Sequence, residues 1–113
     1  MARINVSLRK AGLLAILWFL RTQNEARFGQ LVSELHIPKK TVTIRLLELR
    51  RASLVVRNVR QEGVDGVGYH VYVLTVDGRR LTDRIGTKSI ERLVEAEREF
   101  QDAERSIAKQ VVG

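Results

Sequence analysis

The sequence predicts a mainly α-helical fold with one small β-hairpin and a long C-terminal helix. Two helical patterns, Phe28 to Leu35 and Pro38 to about Ala52, are separated by a turn of about three residues. A strand, a glycine-rich loop and a second strand follow them. The last quarter of the chain is dense in Glu and Arg, with apolar residues at helical spacing. At 113 residues the chain is expected to form one domain with an appended helix.

Composition and charge limit the classes of function. The chain has no cysteine, which excludes disulfides, thiolate metal sites and thiol catalysis. Residues 1–60 contain 12 Lys and Arg against 3 Glu, a net charge of +9, whereas residues 61–113 carry a net charge of −2. A basic front half favours a polyanion partner, nucleic acid before membrane. Without a signal or membrane-spanning segment, the protein is expected to be cytoplasmic and nucleoid-associated.

The first predicted helix runs from Leu8 to Arg21 and is capped by Ser7. Its apolar residues spread around more than one face, which is more apolar surface than the core of one small domain needs. We therefore expect part of this helix, including Leu13 and Leu17, to face a second subunit. After a very short strand at Ala26 and Arg27, the second helix follows.

The third predicted helix has one apolar face and one basic face. Pro38 fits its first position, and Val42, Leu46 and Leu49 recur at core spacing. Leu47 is expected to pack on a neighbouring element. The opposite face suits phosphates and base edges in a major groove, and Ile44 suits a thymine methyl group. The predicted DNA contacts are Lys39, Lys40, Thr41, Thr43, Ile44 and Arg45; alternatively, this face is only solvated.

A β-hairpin is predicted after the third helix. Its strands are Leu54 to Asn58 and Tyr69 to Leu74, joined by a loop from Val59 to Gly68. Arg57 and Arg60 are expected to reach the minor groove or flanking phosphates, although Glu62 and Asp65 at the tip oppose this. The alternative is a solvated loop without a DNA contact.

Two further helices complete the prediction. Thr75 caps a helix that ends near Ile85, Gly86 marks a break, and Ser89 to about Lys109 forms a long helix. Its apolar stripe is too long for the small domain to cover, which predicts a homodimer held by a coiled coil, although an exposed solvated helix remains the alternative. The chain divides into a DNA-binding domain, 1–85, and a dimerisation helix, 86–113. The stripe consists of Ile90, Leu93, Phe100 and Ile107.

Two segments carry a resemblance to a known family. FGQLVSELHIPKKTVTIRLLELRRASLVVR, followed by a glycine-rich loop and YHVYVLTVDGRRL, resembles the winged helix-turn-helix regulators of the MarR, PadR and HxlR type, including compact archaeal members. The resemblance covers about residues 8–85 and implies dimer contacts in the terminal helices. Ser53 departs from the pattern, because these regulators usually have glycine there, at a position that often needs a left-handed backbone.

No catalytic constellation accompanies these features. His36 and His70 lack metal-ligand spacing, and Glu91, Glu95 and Glu99 on one helix face are more simply solvated acids. The sequence thus predicts a non-enzymatic protein without cofactor or metal. The predicted function is sequence-specific binding of double-stranded DNA as a homodimeric transcriptional regulator. Two alternatives stay open: an architectural, nucleoid-type DNA-binding protein with low specificity, and a protein-binding winged-helix module.

Overall fold

A computed structural model describes residues 7–62 and 66–112, with side chains described as far as residue 108. The described part contains five helices and a two-stranded antiparallel sheet, which confirms the predicted fold class. No helix in it is long and apolar enough to span a lipid bilayer. The elements are α1 Leu13–Gln23, α2 Phe28–Leu35, α3 Lys39–Arg51, β1 Val55–Gln61, β2 Gly68–Leu74, α4 Val76–Ile85 and α5 Thr87–Val112.

The first helix begins later than predicted. It starts at Leu13 instead of Leu8, and Ser7 is not its cap. Gly12 precedes it with a φ of 83°, a left-handed conformation that glycine adopts without steric cost. The Gly12 N–H donates to Glu97 Oε1 at 2.9 Å. The start of α1 is therefore set by a contact with α5, which no local pattern around Ser7 reveals.

Helix α1, part of which was predicted to face a second subunit, is largely covered by its own chain. Leu13 and Leu17 are completely buried, and so is Ile16. Helix α5 packs along α1, where Trp18 Nε1 donates to Glu91 Oε1 at 3.3 Å. The surplus apolar surface of α1 is thus the centre of a core that α5 helps to close.

The hairpin is longer than predicted. Strand β1 extends to Gln61 and pairs with β2 in a register that places Val55 opposite Leu74 and Gln61 opposite Gly68. Ala26 forms an isolated bridge with Tyr72, which accounts for the very short strand expected there. The hairpin tip at residues 63–65, including Asp65, lies outside the described residues.

Helices α4 and α5 follow the predicted signals closely. Thr75 Oγ1 accepts a hydrogen bond from the Gly78 N–H at 3.0 Å, as expected of a cap. Gly86, with a φ of 86°, interrupts the helical conformation between α4 and α5. Helix α5 then starts at Thr87, two residues earlier than predicted, and runs for 26 residues.

Ser53 occupies the strained position that the sequence indicated. Its φ is 61°, in the left-handed region that costs an L-residue about 1–2 kcal/mol. Its N–H donates to the Arg50 carbonyl at 3.0 Å, and its carbonyl accepts from Thr75 Oγ1 at 2.7 Å. Both bonds use backbone atoms of Ser53, so its side chain is not needed for either.

Replacing Ser53 with glycine is expected to stabilise the fold. Ser53→Gly removes the left-handed strain and keeps both backbone bonds, against an entropy cost of roughly 0.5–1 kcal/mol. We expect a net gain of about 0.5–1 kcal/mol, measured as a rise of a few degrees in melting temperature. Ser33→Gly, inside α2, is the matched control and should lower the melting temperature. A Ser53→Gly protein no more stable than the parent would contradict this account.

Candidate nucleic-acid interface

Helices α2 and α3 form a helix-turn-helix with a three-residue turn. His36 ends α2 in a left-handed conformation, with a φ of 54°. Pro38, with a φ of −56° and ψ of 143°, is the residue immediately before α3. The sequence predicted that it would be the first residue of the helix, so α3 begins one residue later than predicted. Val42, Leu46 and Leu49 are at most 3% exposed. Because these residues fix the inner face of α3, the opposite face lies in solvent.

The N-terminal end of α3 lacks the groups that normally stabilise a helix start. No side chain caps it, and its first turn contains no acidic residue. Lys39 and Lys40 are exposed there and form no ion pair with any described side chain. Cations at the positive end of a helix dipole are unfavourable, whereas an anion there is stabilising. This end of α3 is thus suited to bind a phosphate.

The exposed face of α3 combines a hydroxyl with apolar side chains. Thr43 Oγ1 donates to the Lys39 carbonyl at 2.9 Å, so its lone pairs remain free to accept a hydrogen bond. Ile44 is 42% exposed, as a contact to a thymine methyl group requires. Leu47 is equally exposed, whereas the sequence predicted that it packs on a neighbouring element. Thr41 is half-buried at the edge of this face.

Arg45 is held inside the protein and does not extend with the lysines. Its Nε donates to the Ala11 carbonyl at 2.8 Å, and its guanidinium pairs with Glu48 Oε1. The other oxygen of Glu48 accepts from Lys10 Nζ at 2.8 Å. Lys10 first, and then Arg45, lowers the pKa of Glu48 against the opposing effect of burial. Arg45 therefore binds the segment before α1, in place of the free DNA-facing position predicted for it.

The two predicted wing cations have different environments. A side-chain period of two puts Arg57 and Arg60 on opposite faces of β1. Arg60 lies 3.4 Å from Glu25 Oε1, whereas Arg57 is exposed and forms no ion pair with a described side chain. Of these two arginines, both of which are exposed, only Arg57 has no acidic partner among the described residues.

Arg27, which the sequence reasoning did not identify as a site residue, holds the wing against the start of α2. Its guanidinium lies 3.6 Å from the centre of the Tyr69 ring and 2.9 Å from Glu62 Oε1. The backbone N–H of Arg27 donates to Gln30 Oε1 at 2.9 Å, as the N-cap N–H does in a capping box. Arginine is not a usual N-cap residue, so the sequence contained no such signal at this position. Tyr69, followed by Glu62, raises the pKa of Arg27. Because Arg27 neutralises Glu62, this acid opposes DNA less than expected.

The six predicted dimer residues fall into two groups. Leu13, Leu17 and Ile90 are at most 1% exposed within a single chain, so this chain by itself already buries these three side chains. Leu93, Phe100 and Ile107 are 50%, 64% and 61% exposed. These three recur every seven residues on α5, with exposed Ala96 and Ala103 between them. We call this set of five the α5 stripe.

The helix-turn-helix and the hairpin beside it form a winged-helix domain, a fold that many DNA-binding transcriptional regulators share. The family comparison agrees, because the HxlR-like helix-turn-helix family matches residues 10–106. The chain belongs to this family. Its members are regulators and not enzymes, in agreement with the sequence prediction.

Solved structures of other regulators share this fold. A MarR family transcription regulator is 26% identical and has a TM-score of 0.61, covering 96% of this chain and 68% of its own. Reduced HlyU from Vibrio cholerae is 27% identical with a TM-score of 0.51, over 67% of this chain and 74% of its own. The reduced transcriptional regulator YodB from B. subtilis is 23% identical with a TM-score of 0.53, over 64% of this chain and 69% of its own. No curated protein sequence matches the chain.

Proposed function

We propose that the protein binds double-stranded DNA sequence-specifically as a homodimer and regulates transcription from those sites. Each α3 enters a major groove, where Lys39 and Lys40 bind phosphates and Thr43 and Ile44 contact base edges. Arg57 on the wing contacts the flanking backbone or minor groove. Arg60 contributes less because Glu25 shares its charge, and Thr41 lies at the edge of the contact.

The observation that carries this proposal is the unneutralised start of α3. Helix α4 has Thr75 as cap and Asp77 in the first turn, whereas α1, α2 and α3 have neither a side-chain cap nor a first-turn acid. Helix α3 differs from α1 and α2 because its first turn presents two exposed cations, Lys39 and Lys40. That arrangement costs the isolated protein stability, and a bound phosphate removes the cost. The exposed Thr43 and Ile44, one turn further on, add groups that can distinguish bases.

The α5 stripe supports the homodimer. Leu93, Phe100 and Ile107 at heptad spacing, with alanines between them, have the pattern of a two-helix seam. The other side of α5 is occupied, because Ile90 and Val94 are at most 8% exposed against the rest of the chain. In this proposal residues 1–85 form the DNA-binding domain and residues 86–113 the dimerisation helix.

Specific binding is tested by comparing affinities. DNA enriched by the protein from a random pool should bind about 1,000-fold or more tightly than a shuffled duplex of the same length, at one fixed salt concentration. The enriched sequence should contain two symmetric half-sites. A ratio near one would contradict sequence-specific regulation and favour the architectural alternative. Absence of binding to either duplex would favour the protein-binding alternative.

A further inference from the structure

One peptide group connects the DNA-facing helix with the long C-terminal helix. The carbonyl of Ala11 accepts from Arg45 Nε of α3 at 2.8 Å. The N–H of Gly12, which belongs to the same peptide plane, donates to Glu97 Oε1 of α5 at 2.9 Å. A cation thus binds one end of this peptide dipole and an anion the other, so each bond polarises and strengthens its counterpart. We call Arg45, the Ala11–Gly12 peptide and Glu97 the peptide bridge.

The surroundings of the bridge hold it in one geometry. Glu48 binds Arg45 through one carboxylate oxygen and Lys10 through the other. The backbone at Gly12 has a φ of 83°, and a Cβ there would lie 3.1 Å from Ile37 Cδ1 in the turn before α3. The backbone angle therefore favours glycine at this position, and a larger residue would also press against the end of the Ile37 side chain.

The two ends of the bridge belong to the two functional surfaces. Arg45 is on the same helix as Lys39, Lys40 and Thr43, which face DNA in the proposed function. Glu97 lies on α5, which carries the α5 stripe on its exposed side. The bridge thus ties the orientation of α3 to the helix that sets the separation of the two copies.

We propose that Arg45 and Glu97 are positioning residues that, through the Ala11–Gly12 peptide, fix the angle of α3 relative to α5 and so the half-site spacing that the dimer accepts. This inference rests on the proposed function, because it assumes two α3 helices on one duplex. Arg45 and Glu97 act without touching DNA. A change in either therefore alters spacing preference, whereas loss of a DNA contact weakens binding at every spacing.

The test measures affinity for two half-sites at the enriched spacing and at spacings two base pairs longer and shorter. The wild type should lose roughly 100-fold in affinity at the altered spacings, because both α3 helices no longer fit their grooves. Glu97→Ala should bind the enriched spacing about tenfold more weakly, because the free protein no longer holds α3 at the angle that this spacing requires. Its penalty for altered spacing should fall below about tenfold. Glu97→Gln keeps an accepting oxygen and should behave as wild type.

Glu99→Ala is the matched control. It removes the same charge from an exposed position two residues further along α5. Removing an acid by itself raises the affinity for any DNA, because it removes a repulsion from the phosphates. If Glu97→Ala lowers the affinity and Glu99→Ala does not, the loss of charge cannot be the cause. Equal spacing penalties in Glu97→Ala and Glu99→Ala would overturn the inference and leave the proposed function intact. A wild type that binds specifically but accepts all spacings equally would also overturn it.

A second measurement needs neither DNA nor a Glu97 variant. Hydrogen exchange of the Gly12 N–H is followed in the full chain, with Arg45→Met compared with Arg50→Met, an exposed arginine of the same helix. If the bridge is one unit, Arg45→Met should raise the exchange rate of this amide about tenfold, and Arg50→Met should not. Equal rates in both variants would overturn the bridge even if DNA binding failed for another reason.

Discussion

Phe100→Asp is expected to convert the protein to a monomer. Phe100 is 64% exposed at the centre of the α5 stripe and would meet its symmetry-related copy in the proposed dimer. The change removes about 1.5–3 kcal/mol of apolar burial from each copy and adds two facing carboxylates. The dimer dissociation constant should therefore rise roughly 100- to 10,000-fold, measured by light scattering across a dilution series. Binding to a two-half-site duplex should weaken by at least about 100-fold, because two linked contacts become independent.

Two variants control for this result. Phe100→Leu keeps an apolar side chain in the stripe and should remain dimeric. Thr87→Asp adds the same charge at an exposed site at the start of α5, seven residues before the buried Val94 and so away from the stripe, and should also remain dimeric. An unchanged dimer in Phe100→Asp would show that the copies associate through a different surface, since the buried Leu13, Leu17 and Ile90 are not accessible to a partner.

The double change Lys39→Ala with Lys40→Ala is expected to weaken DNA binding at all sequences. Each copy loses two phosphate contacts, so the dimer loses four. The slope of log affinity against log salt should decrease by about 3.6, at roughly 0.9 per phosphate. At moderate salt the affinity should fall roughly 100-fold for enriched and shuffled DNA alike, because phosphate contacts carry no sequence information.

The matched control removes two exposed cations elsewhere. Arg84→Ala with Lys88→Ala lowers the net charge equally, at the end of α4 and the start of α5. Its salt slope should stay close to that of the wild type. If Lys39→Ala with Lys40→Ala left both slope and affinity unchanged, the start of α3 would not be a phosphate site. Removing the unpaired lysines should also leave the fold at least as stable as before, because they oppose the helix dipole.

The elements of the fold were predictable where local chemistry determines them. Pro38 marked the start of α3 to within one residue, Thr75 capped α4 as predicted, and Gly86 separated the last two helices. Related regulators usually have glycine at the position of Ser53, which indicated a left-handed backbone there, and Ser53 does adopt this conformation. These signals act within a few residues, so the sequence contains them directly.

Long-range contacts were not predictable in the same way. Helical spacing indicates that Leu13, Leu17 and Ile90 are buried, but it does not say whether the same chain or a second copy buries them. The start of α1 depends on Glu97, which lies 85 positions after Gly12. Arg45 has the spacing of a DNA contact on α3, yet the carbonyl of Ala11, 34 positions earlier, draws it inward.

Directed DNA cleavage tests the central claim most directly. Because the chain has no cysteine, Thr43→Cys provides a single attachment point for an iron chelate that cleaves nearby DNA. On enriched DNA we expect two cleavage zones, one per half-site, whose centres lie one helical turn or a multiple of it apart. The same reagent on Lys88→Cys should give much weaker cleavage. Cleavage scattered evenly along the duplex, or a single zone, would contradict the claim that two α3 helices enter the major groove at defined positions.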